Sequence, residues 1–212
     1  GFAAAFLNDG SPPAIGARFK NAALAATLER LAAAGLDDFY RGDVARALAT
    51  DLAQAESPLR LADLEAFRAR RVTPLSVRLR HGTAYNLPPP TQGLASLMIL
   101  GLADQLPKAP AEGFAYLHGL IECTKRAFLV RDRHVTDPAF TSFDAQAALD
   151  PDNLRQIAAN IDPAHALAWP QPAAPGDTVW LGAIDANGTA VSFIQSIYWE
   201  FGSGLVLPST GV

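Results

Sequence analysis

The stretch Asp177-Thr178-Val179-Trp180-Leu181-Gly182-Ala183-Ile184-Asp185-Ala186-Asn187-Gly188-Thr189-Ala190-Val191-Ser192-Phe193-Ile194-Gln195-Ser196 constrains this chain more than any other. Two runs rich in β-branched and aromatic residues flank an Asn-Gly pair. That pattern predicts a strand, a tight turn and a return strand. Thr178 occupies the first position of the first strand, and Ser196 ends the second. An antiparallel pair folds back on itself, so the two hydroxyls are expected at the same end of the hairpin.

By itself a threonine at a strand start is an ordinary β-branched residue, and a serine at a strand end is an ordinary solvent-facing one. Together they also fit a chemistry in which a chain cuts itself before a Thr, Ser or Cys. The freed α-amine then serves as base for the adjacent hydroxyl or thiol.

Further segments turn that possibility into a resemblance. The turn Asp185-Ala186-Asn187-Gly188-Thr189-Ala190-Val191-Ser192 is followed by Phe201-Gly202-Ser203-Gly204. Upstream stand Phe39-Tyr40-Arg41-Gly42, then Pro88-Pro89-Pro90-Thr91-Gln92-Gly93 after Asn86-Leu87. Between these and the hairpin lie Ala127-Phe128-Leu129-Val130-Arg131-Asp132-Arg133 and Asp137-Pro138-Ala139-Phe140. Each segment alone is weak. In this order, from about Phe6 to Val212, the chain resembles the γ-glutamyltranspeptidase family of N-terminal-nucleophile hydrolases. The Asp-Thr-Val-Trp opening and the Phe-Ile-Gln-Ser return strand are similar to its oxamate amidohydrolase-like members.

The resemblance implies a role for each residue singled out. Thr178 would be the nucleophile, and its Oγ would first attack the carbonyl carbon of Asp177. The Asp177-Thr178 bond would therefore be the cleavage site. Ser196, eighteen residues on, resembles the second hydroxyl that hydrogen-bonds the nucleophile and primes processing. Tyr198 stands where the transpeptidases carry an Asn that contacts the amino-acid end of the glutamyl group. A phenol lacks the paired donor and acceptor of an amide and is larger, so another small amide or acyl group becomes the expected substrate.

The resemblance also implies an α+β fold, mostly helical here with a C-terminal β-hairpin, belonging to an αββα sandwich. Residues 1–177 would be the C-terminal part of a large helical subunit, ending in a pre-cleavage loop. Residues 178–212 would open the small subunit. The substrate-carboxylate Arg, the acidic amine-binding residue, the Ser-Ser pair and the Gly-Gly oxyanion hole fall outside the stretch. The expectation is a central fragment, inactive and uncleaved in isolation, whose partners are a small amide or γ-glutamyl substrate and the remaining parts of its own subunits. No cofactor is implied. The alternative is a non-catalytic helical module that retains the family fold.

Composition narrows the rest. Half of the 212 residues are apolar and 18% are charged, a globular balance with enough chain for a real core. The net charge is −4. Basic residues gather only at Arg68-Ala69-Arg70-Arg71 with Arg78 and Arg80, too few to suggest nucleic acid. The strongest apolar run, Leu94–Ala103, is too short to span a bilayer. His81, His118, His134 and His165 are scattered, with no Cys/His cluster, so no protein metal site is expected. The single cysteine, Cys123, sits at helical spacing from Leu120, Ala127 and Val130 and reads as a buried, inert thiol. No signal peptide opens the chain at Gly1, which looks cut from something longer, so the compartment stays open between cytoplasm and periplasm.

Periodicity places the remaining elements. Helices are expected at Asn21–Ala34 (Leu24, Leu28 and Leu31 inward), Asp43–Glu56 (Val44, Leu48 and Leu52 inward) and Ala62–Phe67. Ser76–Arg80 and Thr83–Leu87 read as a hairpin turning at His81-Gly82. Helices follow at Gln92–Gln105 and at Glu112–Val135, the latter with Phe114, Leu117, Ile121, Phe128 and Leu129 near its buried face. A short helix opens at Asp150-Pro151. The proline-rich stretch Pro163–Gly176 and the segment Trp199–Val212 read as loops.

Overall fold

The computed structural model describes residues 1–169, 179–197 and 201–212. Its elements run α1 (Phe2–Phe6), α2 (Ala22–Ala34), α3 (Asp38–Arg41), α4 (Asp43–Gln54), α5 (Leu61–Ala66), β1 (Leu75–Leu79), β2 (Gly82–Asn86), α6 (Gly93–Gln105), α7 (Phe114–His134), α8 (Pro151–Ala159), β3 (Val179–Ile184) and β4 (Ala190–Gln195). Single 3-10 turns lie at Pro138–Phe140 and Ala147–Leu149. The fold is α+β, with two separate antiparallel hairpins, β1–β2 and β3–β4. Two units form: Gly1–Ala69 with Ala173–Val212, and Arg70–Pro172. Asp177, Thr178, Tyr198, Trp199 and the end of the expected proline-rich loop lie outside the described residues.

In the second unit α6 is the central element. Leu94, Leu97, Met98 and Leu102 on α6 are buried among Leu75 and Val77 of β1, Cys123 and Ala127 of α7 and Leu154 of α8. Most of α6 faces apolar neighbours, which is why Leu94–Ala103 is so continuously apolar, while Ser96 and Leu100 are exposed. Strand β1 alternates as its sequence predicts: Leu75 and Val77 face the core while Arg78 is exposed. The Gln146 side chain covers its edge, accepting from the Ser76 N–H at 3.0 Å and donating to the Ser76 carbonyl at 2.9 Å.

Three expectations need correction. The first hairpin turns at Arg80-His81, with Gly82 already paired to Leu79. The Asp104 carboxylate accepts both the Arg80 backbone N–H and its Nε at 3.0 Å, which fixes Arg80 in the turn. On α7 the buried face is Gly119, Glu122, Cys123 and Ala127, whereas Phe114, Leu117, Ile121 and Leu129 are exposed. Small residues let two helix backbones approach closely, so α7 packs on α6 through them and leaves its bulkier apolar stripe outside. On α2, Leu28 is exposed and Thr27 is the buried residue. By contrast Val44 and Leu48 of α4 are buried as expected.

The first unit is closed by its own C-terminal segment. Leu207 packs with Val44 and Leu48. Thr27 Oγ1 donates to the Thr210 carbonyl at 2.8 Å. The buried Asp51 carboxylate accepts the Ser209 N–H and Oγ–H, each at 2.8 Å. Residues 201–212 read as loop in the sequence. They form none of the named helices or strands, but they are docked through these contacts.

Two glycines in the recurrent segments are required by close approach. A Cβ on Gly42 would lie 1.8 Å from Asp38 Oδ1. That carboxylate accepts the Asp43 and Val44 N–H groups at 3.1 and 3.2 Å, capping α4 from outside the helix. Arg30 hydrogen-bonds Asp38 and, with these N–H groups, holds its carboxyl well below the usual range against partial desolvation. A Cβ on Gly93 would lie 2.0 Å from the Leu87 carbonyl oxygen. Gly93→Ala is therefore expected to destabilise the protein by about 2 kcal/mol, as overpacking against backbone does. At Gly82 nothing lies within 4 Å of a built Cβ, so Gly82→Ala is expected to stay within about 0.5 kcal/mol of the parent. Urea unfolding of the two variants side by side checks the difference.

Candidate functional site

The hairpin β3–β4 is the element flanked in sequence by the expected site residues. Its register pairs Val179 with Gln195, Trp180 with Ile194, Leu181 with Phe193, Gly182 with Ser192, Ala183 with Val191 and Ile184 with Ala190. The turn is wider than the tight Asn-Gly turn expected from sequence. Asp185 N–H donates to the Thr189 carbonyl, and Gly188 N–H donates to the Asp185 carbonyl, each at 3.1 Å. Gly188 has φ 83°, the left-handed residue of a turn with a bulge. The Asp185 carboxylate accepts the N–H groups of Thr189 at 2.9 Å and Asn187 at 2.8 Å. The Thr189 N–H above all holds its pKa below the usual carboxylate range. This side chain starts the turn at Asp185 and so sets the register of both strands.

Ser196 follows directly on Gln195, whose partner Val179 is the first residue of β3. Thr178 immediately precedes Val179 in the sequence. Of the four residues expected to carry function, Ser196 is described and exposed; Asp177, Thr178 and Tyr198 lie outside the described residues. Along one face run Trp180, Gly182 and Ile184 with Ile194, Ser192 and Ala190. There the Trp180 indole donates to Ser192 Oγ at 2.8 Å and lies against Gly182, where a Cβ would be 2.9 Å from the ring. Residues on both faces of the hairpin are exposed, Trp180 at 62% and Phe193 at 49% among them.

The other recurrent segments do architectural work. Thr91 Oγ1 donates toward the Leu87 and Pro88 carbonyls, both at 3.0 Å, and accepts the Gly93 N–H at 3.2 Å. Arg131 links two of these segments, donating to Gln92 Oε1 at 3.2 Å while its guanidinium lies 3.7 Å over the Phe128 ring. Asp137 caps the turn Pro138–Phe140 by accepting the Ala139 N–H at 2.9 Å. In the first unit Arg41 donates to the Phe67 carbonyl at 2.9 Å, and Tyr40 stacks on Phe67 at 5.1 Å.

Cys123 is fully buried. Burial pushes its thiol up to about 11, so it is protonated at neutral pH and is not a nucleophile. A cavity of about 940 Å³ opens between the end of α6, the start of α7 and the C-terminal half of α8, lined by Leu106, Lys108, Tyr116, Gly119, Arg155 and Ile161 among others. Ser196, the one candidate site residue among the described residues, does not line it. Among the described residues no group of three or more His, Cys, Asp or Glu side chains could hold a metal. Among them, too, no helix is long and apolar enough to cross a membrane. Sequence reading passed over one cluster, Glu122 with Lys125 and Arg126. Its signal was the acid–base spacing of three and four residues along a helix.

Comparison with known proteins agrees with this architecture. The family model for γ-glutamyltranspeptidase matches residues 1–212. The oxamate amidohydrolase proenzyme of Klebsiella pneumoniae is 51% identical over 212 residues, covering all of this chain and 40% of that protein. The glutathione hydrolase-like YwrD proenzyme of Bacillus subtilis is 36% identical, covering 98% of this chain and 40% of its own length. Among solved structures, a cephalosporin acylase from Bacillus halodurans superposes with a TM-score of 0.88 at 31% identity, over all of this chain and 39% of that one. The chain thus spans about 40% of the length of these curated relatives.

Proposed function

The chain belongs to the γ-glutamyltranspeptidase family, and from that premise we propose that it carries the nucleophile of a self-cleaving amide hydrolase. Thr178 Oγ attacks the carbonyl carbon of Asp177, the acyl group moves from nitrogen to oxygen, and water hydrolyses the ester. The products are a carboxylate on Asp177 and a free α-amine on Thr178. In turnover the same Oγ attacks the substrate amide while that amine takes and returns the proton. The acyl-enzyme ester is then hydrolysed, or its acyl group passes to an amine.

The observation that carries this reading is the hairpin register. Val179 pairs with Gln195, so one further step of the ladder would set Thr178 opposite Ser196. In this reading Ser196 hydrogen-bonds the nucleophile before cleavage. The exposed apolar residues on both faces of the hairpin fit a strand pair covered on both sides. Further strands and helices of the full-length protein supply that cover, the arrangement of an αββα sandwich.

The substrate we infer is a short amide of the oxamate kind. The 51% identity to an oxamate amidohydrolase proenzyme supports it, as does Tyr198 in place of an amide side chain. Oxyanion donors come from parts of the full-length protein beyond these residues, so the 212-residue stretch alone is expected to be inactive. Ser196→Ala in the full-length protein tests the arrangement. Losing a hydrogen bond to a reacting hydroxyl costs about 1–2 kcal/mol, so both cleavage and turnover should slow about five- to thirtyfold without vanishing. Unchanged cleavage and turnover would remove Ser196 from the site.

A further inference from the structure

The most unusual group in the second unit is Glu122, a carboxylate with 0% exposure at the centre of α7. Lys125 Nζ donates to its Oε1 at 2.8 Å and Arg126 Nη1 to its Oε2 at 2.6 Å. The Leu167 backbone N–H donates to both oxygens, at 3.2 and 3.1 Å. Lys125 Nζ also donates to the Leu167 carbonyl at 2.7 Å. Both backbone groups of one loop residue are thus held by one ion cluster. Arg126 Nη2 reaches the Asn160 carbonyl at 2.8 Å, and His118 Nε2 the Asp162 carbonyl at 2.8 Å. The segment 160–167 is strapped to α7 at three points by side chains that share one helix face.

Burying charge in this way is expensive, and an apolar substitute of similar volume often serves stability as well or better. Burial alone would raise the Glu122 pKa. The hydrogen bonds from Lys125, Arg126 and Leu167 outweigh it and hold the group ionised, below its ordinary value. A cluster of this kind is useful where a backbone must be held at a defined place without apolar side chains to hold it. Leu167 lies eleven residues before Thr178, in the segment that leads to the proposed scissile bond.

We infer that the Glu122–Lys125–Arg126 cluster is the upstream clamp of the pre-cleavage segment, with Glu122 a positioning residue for self-cleavage. The inference rests on the cleavage reading above. By fixing Leu167, the clamp leaves ten residues, 168–177, between a held backbone position and Thr178. After cleavage the same clamp no longer constrains the nucleophile, which then belongs to the other piece. Glu122 therefore governs maturation and not turnover.

The test uses the full-length proenzyme, with cleavage followed by intact mass after a pulse of synthesis. Glu122→Gln is expected to slow cleavage about tenfold, since a misplacement on the order of 1 Å can cost up to 10²-fold. Once matured, its kcat and KM should lie within about twofold of wild type. A merely structural role would lower turnover as well. Because Glu122→Gln leaves two half-buried cations less well paired, Leu167→Pro provides an independent variant. It removes the N–H that Glu122 accepts while leaving the side chains of Glu122, Lys125 and Arg126 unchanged; it should slow cleavage by a similar factor. Leu167→Ala, which keeps both backbone groups, should cleave at the wild-type rate. Wild-type cleavage rates in both Glu122→Gln and Leu167→Pro would overturn the clamp and leave the function reading intact. So would slowing in Glu122→Gln matched by an equal loss of mature turnover, with Leu167→Pro normal. A wild-type chain that never cleaves before Thr178 would overturn the clamp and the reading beneath it together.

Discussion

Replacing Thr178 with alanine in the full-length protein is expected to abolish both maturation and catalysis. The methyl group left at Cβ cannot attack the Asp177 carbonyl, so the chain stays whole. No free α-amine then forms beside a hydroxyl, and the base of the mechanism is lost with the nucleophile. Groups that act as one unit are not additive, and removing either disables both steps. Turnover should fall at least about 10³-fold, to what binding and oxyanion donors supply alone. Thr178→Ser, which retains the hydroxyl, should still cleave. Activity assays and gel analysis of the three proteins together check this. A Thr178→Ala protein that matured and turned over would end the assignment of Thr178.

The second large effect concerns the acyl donor. In the reading proposed above, Tyr198 stands in place of the Asn amide with which a transpeptidase pocket would hold the glutamyl amino-acid head. A missing partner for a charged or polar buried group costs about 1.5–3 kcal/mol, roughly one to two decades in kcat/KM. The phenol also adds bulk that a long glutamyl chain must pass. The full-length protein is therefore expected to prefer oxamate or a similar short amide over glutathione. Tyr198→Asn should move the ratio of kcat/KM toward glutathione by about ten- to a hundredfold. Competition kinetics with both donors reads that ratio. Glutathione as the better donor by a wide margin in wild type would restore the ordinary transpeptidase reading.

Much of this architecture was legible because local rules and burial agreed. Asn21 caps α2 by accepting the Leu24 N–H at 3.0 Å, Asp150 caps α8 just before Pro151, and Val44 and Leu48 point inward as periodicity requires. The Asn187-Gly188 signal found the second hairpin, though with a wider turn than expected. Where reading failed, packing overrode the pattern. The apolar stripe Phe114–Leu117–Ile121 on α7 looked like its core face, but a helix that must lie close to α6 uses Gly119, Cys123 and Ala127 instead. Thr27 is buried in preference to Leu28 because its hydroxyl satisfies the Thr210 carbonyl, a partner 183 residues away that no local window contains.

The candidate site was proposed from a pair of hydroxyls around one hairpin and from the family-like segments; of the pair, Ser196 is among the described residues. Physically those segments mostly build the frame: Gly42 admits the Asp38 cap, and Gly93 admits the Leu87 carbonyl. The Glu122 clamp escaped notice because an acid with two bases at helical spacing usually marks a solvated face. Only its complete burial, and its hold on Leu167, distinguish it.

The most direct measurement of the central claim is the intact mass of the full-length protein after purification, with N-terminal sequencing of any smaller piece. The account predicts two chains that part between Asp177 and Thr178, the second beginning Thr-Val-Trp-Leu. A single persistent chain, or a cut at any other bond, would contradict it and leave a helical module that keeps the family fold without its chemistry.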